Sequence, residues 1–267
     1  MVAKYEILAV RYGVFHSMRS NQFYRYQSYS ESDSPIQMDF YFWIARRGDE
    51  IILIDTGFHP DAVLQRKGRE CLIPPMDAIA KLGILPEQVS KIVVTHFHYD
   101  HIGNLSFFPN ARLVVQQREF DFWMGKHGNK TAVASTVERR ELEFLKRARD
   151  EDRVDFLDGG GVIVPGISVQ LVGGHCPGQQ IVVIDAKAPI VLASDALHFY
   201  EEMQRDMPFE VFTDLPGMYE TYDLLRGLQD EQGAVIVAGH DPRVMEMFPT
   251  VPGHEGLAVL VSEGSGL

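Results

Sequence analysis

The sequence predicts a layered α/β fold. Short apolar, β-branched runs alternate with helical stretches along the chain, which favours strands and helices stacked in layers. The residues richest in chemistry follow apolar strands, as functional groups do when a sheet edge carries them: a histidine cluster after Lys91–Thr95, Asp195 at the end of Ile190–Asp195, and His240 after Ala234–Ala238. At 267 residues, 45% hydrophobic and 23% charged, the chain is long enough to bury a sizeable core. No internal repeat and no low-complexity linker divides it, so residues 1–267 read as a single domain.

The elements follow in order. Phe40–Ala45 and Ile51–Ile54 flank Arg46–Glu50, a hairpin with a glycine in its loop. Asp77–Leu82 predicts a short helix, and Pro86 opens another turn. Lys91–Thr95 and Ala111–Val115 are strands. Ser135–Arg149 reads as the most charged helix, with Ser135 as N-cap and Glu138 completing a capping box. Val162–Val172 and Ile181–Leu192 predict further strands. Pro216–Gln229 reads as a helix whose Met218, Tyr222, Leu225 and Leu228 share one apolar side. The segment Phe15–Gln37 is polar, aromatic and serine-punctuated, as expected of a surface loop or a cover over a site.

Composition narrows the partners. A formal net charge of −12 argues against nucleic acid and anionic membranes, and no run of about eighteen apolar residues suggests a membrane span. The start, Met1-Val-Ala-Lys-Tyr-Glu-Ile, lacks the basic opening and apolar core of a signal peptide. Only Cys71 and Cys176 are present, so no disulfide framework follows and a cytoplasmic location is expected. Cys176 reads as a small buried thiol, too soft a ligand for the set around it.

Residues 95–104, Thr-His-Phe-His-Tyr-Asp-His-Ile-Gly-Asn, are the most informative of the chain. His96, His98, Asp100 and His101 lie within six positions, and imidazole and carboxylate suit borderline divalent metals. A strand would turn 101 away from 96, 98 and 100, and a helix would splay 96 from 98, so the run must be a turn. His175 in Gly173-Gly-His-Cys-Pro-Gly178, Asp195 and His240 are further candidates, weak singly and strong beside the cluster. Seven ligands are too many for one catalytic zinc, which takes three and keeps a place for water; they suit two ions sharing a carboxylate.

Asp55-Thr-Gly57, the His-Phe-His-Tyr-Asp-His run, and His175, Asp195 and His240 in that order resemble the metallo-β-lactamase superfamily over roughly residues 38–243. Within it, Gly174-His-Cys-Pro-Gly-Gln-Gln180, Asp195-Ala196 and Gly239-His-Asp241 are similar to segments of the N-acyl homoserine lactonases. The resemblance implies an αββα sandwich with two metals at one edge between the sheets. It implies that His96, His98 and His175 hold one ion, that Asp100, His101 and His240 hold the other, and that Asp195 bridges them. Asp55 would support the ligand loop from behind. Zinc is the first expectation, with iron, manganese or cobalt accepting the same ligands. The implied reaction is the opening of a lactone by a bridging hydroxide, in a monomer or homodimer acting on a small-molecule lactone or ester.

Asp100 and His198 are the catalytic candidates, Asp100 as a ligand of the second ion. His198 is a departure, because the homoserine lactonases carry a tyrosine three residues after the bridging aspartate; a histidine can donate a hydrogen bond there and is expected to do the tyrosine's work. Phe107, Phe108, Phe199, Tyr200 and Phe212 are candidates for an apolar pocket, although core packing competes for them. The alternatives are a thioester hydrolase, a phosphodiesterase using Arg205 and Arg243 to clamp phosphate, or a non-catalytic metal-binding protein.

Overall fold

The structure, a computed structural model, describes residues 4–263. Its strands are β1 (Glu6–Met18), β2 (Pro35–Arg47), β3 (Glu50–Ile54), β4 (Arg69–Cys71), β5 (Val89–Val93), β6 (Arg112–Gln116), β7 (Val154–Leu157), β8 (Gly161–Val164), β9 (Ile167–Leu171), β10 (Gln180–Ile184), β11 (Ile190–Ser194), β12 (Val235–Ala238) and β13 (Ala258–Leu260). The helices are α1 (Ala62–Gln65), α2 (Pro75–Lys81), α3 (Tyr99–Ile102), α4 (Gln117–Met124), α5 (Thr131–Ala134), α6 (Arg139–Asp150), α7 (Tyr200–Arg205), α8 (Leu215–Gln232) and α9 (Val244–Met247).

Two sheets form. An eight-stranded sheet runs β13-β1-β2-β3-β5-β6-β7, with β4 pairing on β1, and a five-stranded sheet runs β12-β11-β10-β9-β8. Strand alternation explains how they stack, because successive side chains leave opposite faces. Tyr41, Trp43 and Ala45 of β2 point into a core shared with Ile181, Val182 and Leu192 of the second sheet. Their neighbours Phe40, Phe42 and Ile44 enter a second core with Ile79 of α2, Trp123 of α4 and Leu145 of α6. On the far side, Tyr200 of α7 and Met218, Tyr222 and Leu225 of α8 join the core of the smaller sheet. This is the αββα sandwich that the resemblance implies.

Parallel pairing matters for the site. β3, β5, β6 and β7 run parallel, as do β11 and β12, so the ends of β3, β5, β11 and β12 bring Asp55, the His96–His101 run, Asp195 and His240 to one edge.

Several expectations need correction. The helix expected over Ser135–Arg149 starts four residues late: Ser135 ends the preceding α5, donating its hydroxyl to the Ala132 carbonyl, and α6 starts at Arg139 with extended Glu138 before it. The capping box is therefore absent, because the preceding turn already uses the Ser135 hydroxyl. The strand Val162–Val172 breaks at Pro165-Gly166 into β8 and β9, and Ile181–Leu192 breaks into β10 and β11. Proline removes a donor, and Gly166 turns the first break with φ +97°; the second holds Pro189, so each run folds back as an antiparallel pair. Strands β1, β4, β7 and β13 and helices α1, α4, α5, α7 and α9 lie outside the segments that the sequence pattern predicts.

Candidate metal centre and its pocket

The turn expected over 96–101 is an extended loop ending in one helical turn, α3, which swings Asp100 and His101 back toward His96. His175 comes from the β9–β10 loop, where Gly174 adopts φ +77°; a Cβ there would lie 2.9 Å from the Met218 backbone nitrogen. All seven predicted ligands are brought together, and all are buried.

Asp195 lies at the centre. Its Oδ1 faces His101 Nε2 at 3.1 Å and His240 Nε2 at 2.9 Å. Its Oδ2 faces His175 Nε2 at 3.3 Å and His96 Nε2 at 3.6 Å. His98 completes the second group, with Nδ1 2.9 Å from His175 Nε2. Asp100 completes the first, with Oδ2 3.7 Å from His101 Nε2 and 3.9 Å from His240 Nε2.

The outward nitrogens are tied down, which aims the inward ones. His175 Nδ1 donates to the Val211 carbonyl at 2.8 Å, and His240 Nδ1 donates to the Asp39 carbonyl at 2.7 Å. His101 Nδ1 meets Asp55 Oδ2 at 2.8 Å. Such outer partners fix the tautomer and ring orientation of a ligating histidine. Asp55, at φ +61°, also accepts from the Thr95 amide at 2.8 Å and the Thr95 hydroxyl at 2.7 Å, so it holds the ligand loop from behind.

Electrostatics agree with a ligand cluster. Burial holds His96 and His175 well below the usual imidazole range and pushes His98 down to about 4. Burial would also lower His101, but Asp195, Asp100 and Asp55 outweigh it and hold that ring up. Burial opposes the ionised form of Asp195, yet His101, His240, His198 and His96 hold its carboxyl well below the usual range. Neutral imidazoles and ionised carboxylates are the metal-binding forms, so a cation at His101 would take the place of the proton that the three carboxylates favour there.

The donors fit divalent cations. His96 Nε2 and His101 Nε2 are buried inside the cluster with no hydrogen-bond partner, a costly arrangement unless a cation takes the lone pairs. His96, His98 and His175 on one side, and Asp100, His101 and His240 on the other, have potential ligand atoms within 4.8 Å of one another. Cys176 is buried with its thiol 3.4 Å from His98 Nε2, the outward nitrogen, and burial pushes that thiol up, as expected of a packing residue.

His198 lies where its catalytic assignment did not anticipate. It is fully buried, stacked on Phe209 with centroids 3.7 Å apart. Its Nε2 is 3.1 Å from Asp195 Oδ2 and its Nδ1 3.3 Å from Glu202 Oε1, both at ion-pair distance without hydrogen-bond angles. Burial would lower this ring, but Asp195 and Glu202 raise it to about 9.

Glu119 is a functional candidate that sequence reasoning missed. Its Oε1 accepts from the Phe97 amide at 2.9 Å and the Trp123 indole at 2.7 Å; its Oε2 accepts from the Gly178 amide at 2.8 Å. One buried carboxylate thus clamps the His96–His98 loop to the His175 loop. Gly178 lets the chains approach, since a Cβ there would lie 2.3 Å from Glu119 Cβ. An acid on a short helix is ordinary in sequence, and only the tryptophan four residues on hints at its burial.

A cavity of about 520 Å³ opens over the cluster, reaching His98, Asp100, His175 and Asp195. Its apolar lining is Phe15, Met38, Phe40, Phe209 and Val211, and Arg66, Arg69, Tyr99, Ser135 and Thr136 add polar groups to it. The five aromatics proposed for the pocket are placed elsewhere. Phe108 and Tyr200 are core residues, Phe199 packs on Phe23, Phe212 packs on Tyr24, and Phe107 is exposed beside His59. The segment Phe15–Gln37 supplies pocket wall through Phe15, Ser17, Asn21 and Gln22, and is pinned by the Phe23–Phe209 bridge. Arg205 is paired with Glu31 and Glu201, and Arg243 with Asp241; neither lines the cavity. No described helix is long and apolar enough to cross a membrane.

Comparison with known proteins agrees with this geometry. N-acyl homoserine lactonase AttM of Azorhizobium caulinodans is 28% identical over 183 residues, covering 66% of this chain and 67% of the relative. An N-acyl homoserine lactonase of Bacillus sp is 24% identical, covering 74% and 80%. Among solved structures, an N-acyl homoserine lactone hydrolase with N-hexanoyl-L-homoserine at its catalytic metal center superposes with a TM-score of 0.73 at 18% identity, covering 94% of this chain and 99% of that one. AidC, a dizinc quorum-quenching lactonase, gives 0.72 at 18%, covering 91% and 89%. The sequence pattern of the metallo-beta-lactamase superfamily matches residues 40–240, a stretch that holds all seven ligand candidates, and the chain belongs to that superfamily.

Proposed function

We propose that this chain is a dinuclear metal-dependent hydrolase that opens lactone rings, with acyl homoserine lactones or related lactones as substrates. The observation that carries the reading is the division of labour at Asp195: one carboxylate oxygen faces His101 and His240, the other His96 and His175. A carboxylate so placed would be shared by two cations. His96, His98 and His175 would hold one ion; Asp100, His101 and His240 the other. Zinc is the leading candidate, and the all-nitrogen-and-oxygen set also suits iron, manganese or cobalt.

Two such ions, when bound, supply an activated water and Lewis acidity toward a carbonyl and its leaving oxygen. The protein's own residues do the rest. Val211, Asp39 and Asp55 hold the imidazoles in their ligating orientation, and Glu119 fixes the spacing of two ligand loops. Phe15, Met38, Phe40, Phe209 and Val211 offer an apolar wall to the acyl part of a substrate and exclude water from that side. His198, shielded behind Phe209 and aimed at Asp195, fits a positioning role on that carboxylate better than direct contact with substrate. The setting proposed is cytoplasmic, as a monomer or homodimer, with neither nucleic acid nor membrane as partner.

A hydrolysis panel on metal-loaded protein tests the reading. Acyl homoserine lactones and plain γ-lactones should be opened faster than a thioester or a phosphodiester. A faster phosphodiester would replace the lactonase reading with the phosphodiesterase one.

A further inference from the structure

We infer that Arg69 makes the pocket selective for lactones that carry a carboxylate away from the scissile bond. This rests on the lactone-opening reading and names the substrate class of the same site. Arg66 and Arg69 both line the cavity, in a chain of net charge −12. They differ in what they are bound to. Arg66 is paired with Glu138 and donates to the Ser135 carbonyl, so its charge is already met. Among the described residues, no carboxylate lies within ion-pair distance of Arg69. The cavity's own acids, Asp100 and Asp195, belong to the ligand cluster.

Arg69 is also held in place. Its strand, β4, pairs with β1 so that Arg69 lies opposite Phe15, and its guanidinium lies 4.3 Å from the Phe15 ring centroid. Its Nε donates to the Tyr99 hydroxyl at 2.6 Å. Tyr99 sits in sequence between the ligands His98 and Asp100, so the guanidinium is one side chain away from the proposed metals. Gly68, at φ +82°, permits the close approach, because a Cβ there would lie 2.8 Å from Phe15 Cε2. Nη1 donates to the Lys67 carbonyl at 3.5 Å, and among the described residues the two N–H groups of Nη2 have no protein acceptor. A stacked guanidinium with Nη2 still free to donate is preorganised for a carboxylate, because little side-chain entropy remains to be lost.

The test uses homoserine lactones N-acylated with succinate or adipate, each against its terminal carboxamide. Wild type should show a higher kcat/KM for at least one acid than for its amide. In Arg69→Gln that acid-to-amide ratio should fall about tenfold or more, the scale of one charge-assisted bond. Arg66→Gln should leave the ratio within about threefold, its charge being matched by Glu138. A ratio near one in wild type, or unchanged in Arg69→Gln, overturns the inference. A purely structural role would depress acid and amide together and leave the ratio unchanged. If no lactone is opened, the lactone reading fails, and calorimetric titration of the metal-loaded protein with adipate decides about Arg69. Binding weakened about tenfold in Arg69→Gln supports it; equal or undetectable binding overturns it.

Discussion

The floor and the walls of the pocket are built on different principles. The floor is set by strand ends. Asp55, the 96–101 run, Asp195 and His240 follow β3, β5, β11 and β12, every ligand is buried, and at His101, His175 and His240 the outward nitrogen is anchored. The walls mix strand and loop: Phe15 and Ser17 of β1, Met38 and Phe40 of β2, Arg69 of β4, and loop residues at 21–22, 66, 135–136 and 209–211. A rigid floor suits chemistry that tolerates little displacement, and walls that supply no ligand can change selectivity without disturbing that chemistry.

The sharpest break should come at the floor. Among the described residues, Asp195 is the only carboxylate that faces both ligand groups, and Asp195→Ala removes it. That substitution should reduce bound metal to about one ion per chain or fewer, and turnover by about a thousandfold or more, read by elemental analysis and kinetics on the same sample. A variant that kept two ions and most of its turnover would remove Asp195 from the centre.

Glu119→Gln probes the clamp beneath the floor. Replacing one accepting oxygen by an amide forces a donor against an N–H, so metal affinity should weaken about 10–100-fold in chelator competition. Unchanged affinity would mean that the two ligand loops hold their spacing without it.

His198→Ala should lower turnover by about tenfold while both ions stay bound, since its contact is with Asp195 rather than with the cavity. Unchanged turnover would refute any chemical contribution from His198. The smallest effect is expected at the surface. Arg205→Ala and Arg243→Ala should change hydrolysis of every substrate in the panel by less than about twofold, because their partners lie outside the cavity. A selective loss on the phosphodiester would restore them as phosphate clamps.

The same contrast explains what the sequence could say. The ligands were legible because imidazole and carboxylate are rare after buried strands, and six of the ten histidines converge on the site. The parallel strands before them read as apolar runs, as strands buried on both faces do. The walls were not legible. Arg69 looks like any surface arginine until β4 pairs with β1 and sets it on Phe15. The phenylalanines that reach the cavity are Phe15, Phe40 and Phe209, while Phe108 and Tyr200 take the core packing that competed for them; Phe209 is placed by pairing with Phe23, which lies far away in sequence. Glu119 was missed for a similar reason: both loops it joins are distant from α4, and only folding makes its burial visible. Ser135 failed as a cap because a residue can serve the turn before it instead of the helix after it.

The most direct test is metal stoichiometry by elemental analysis after loading and removal of excess ion, with anomalous diffraction locating what is bound. The account predicts two ions per chain, on either side of Asp195, one near His96, His98 and His175 and the other near Asp100, His101 and His240. A single ion bound away from Asp195, or none, would contradict it.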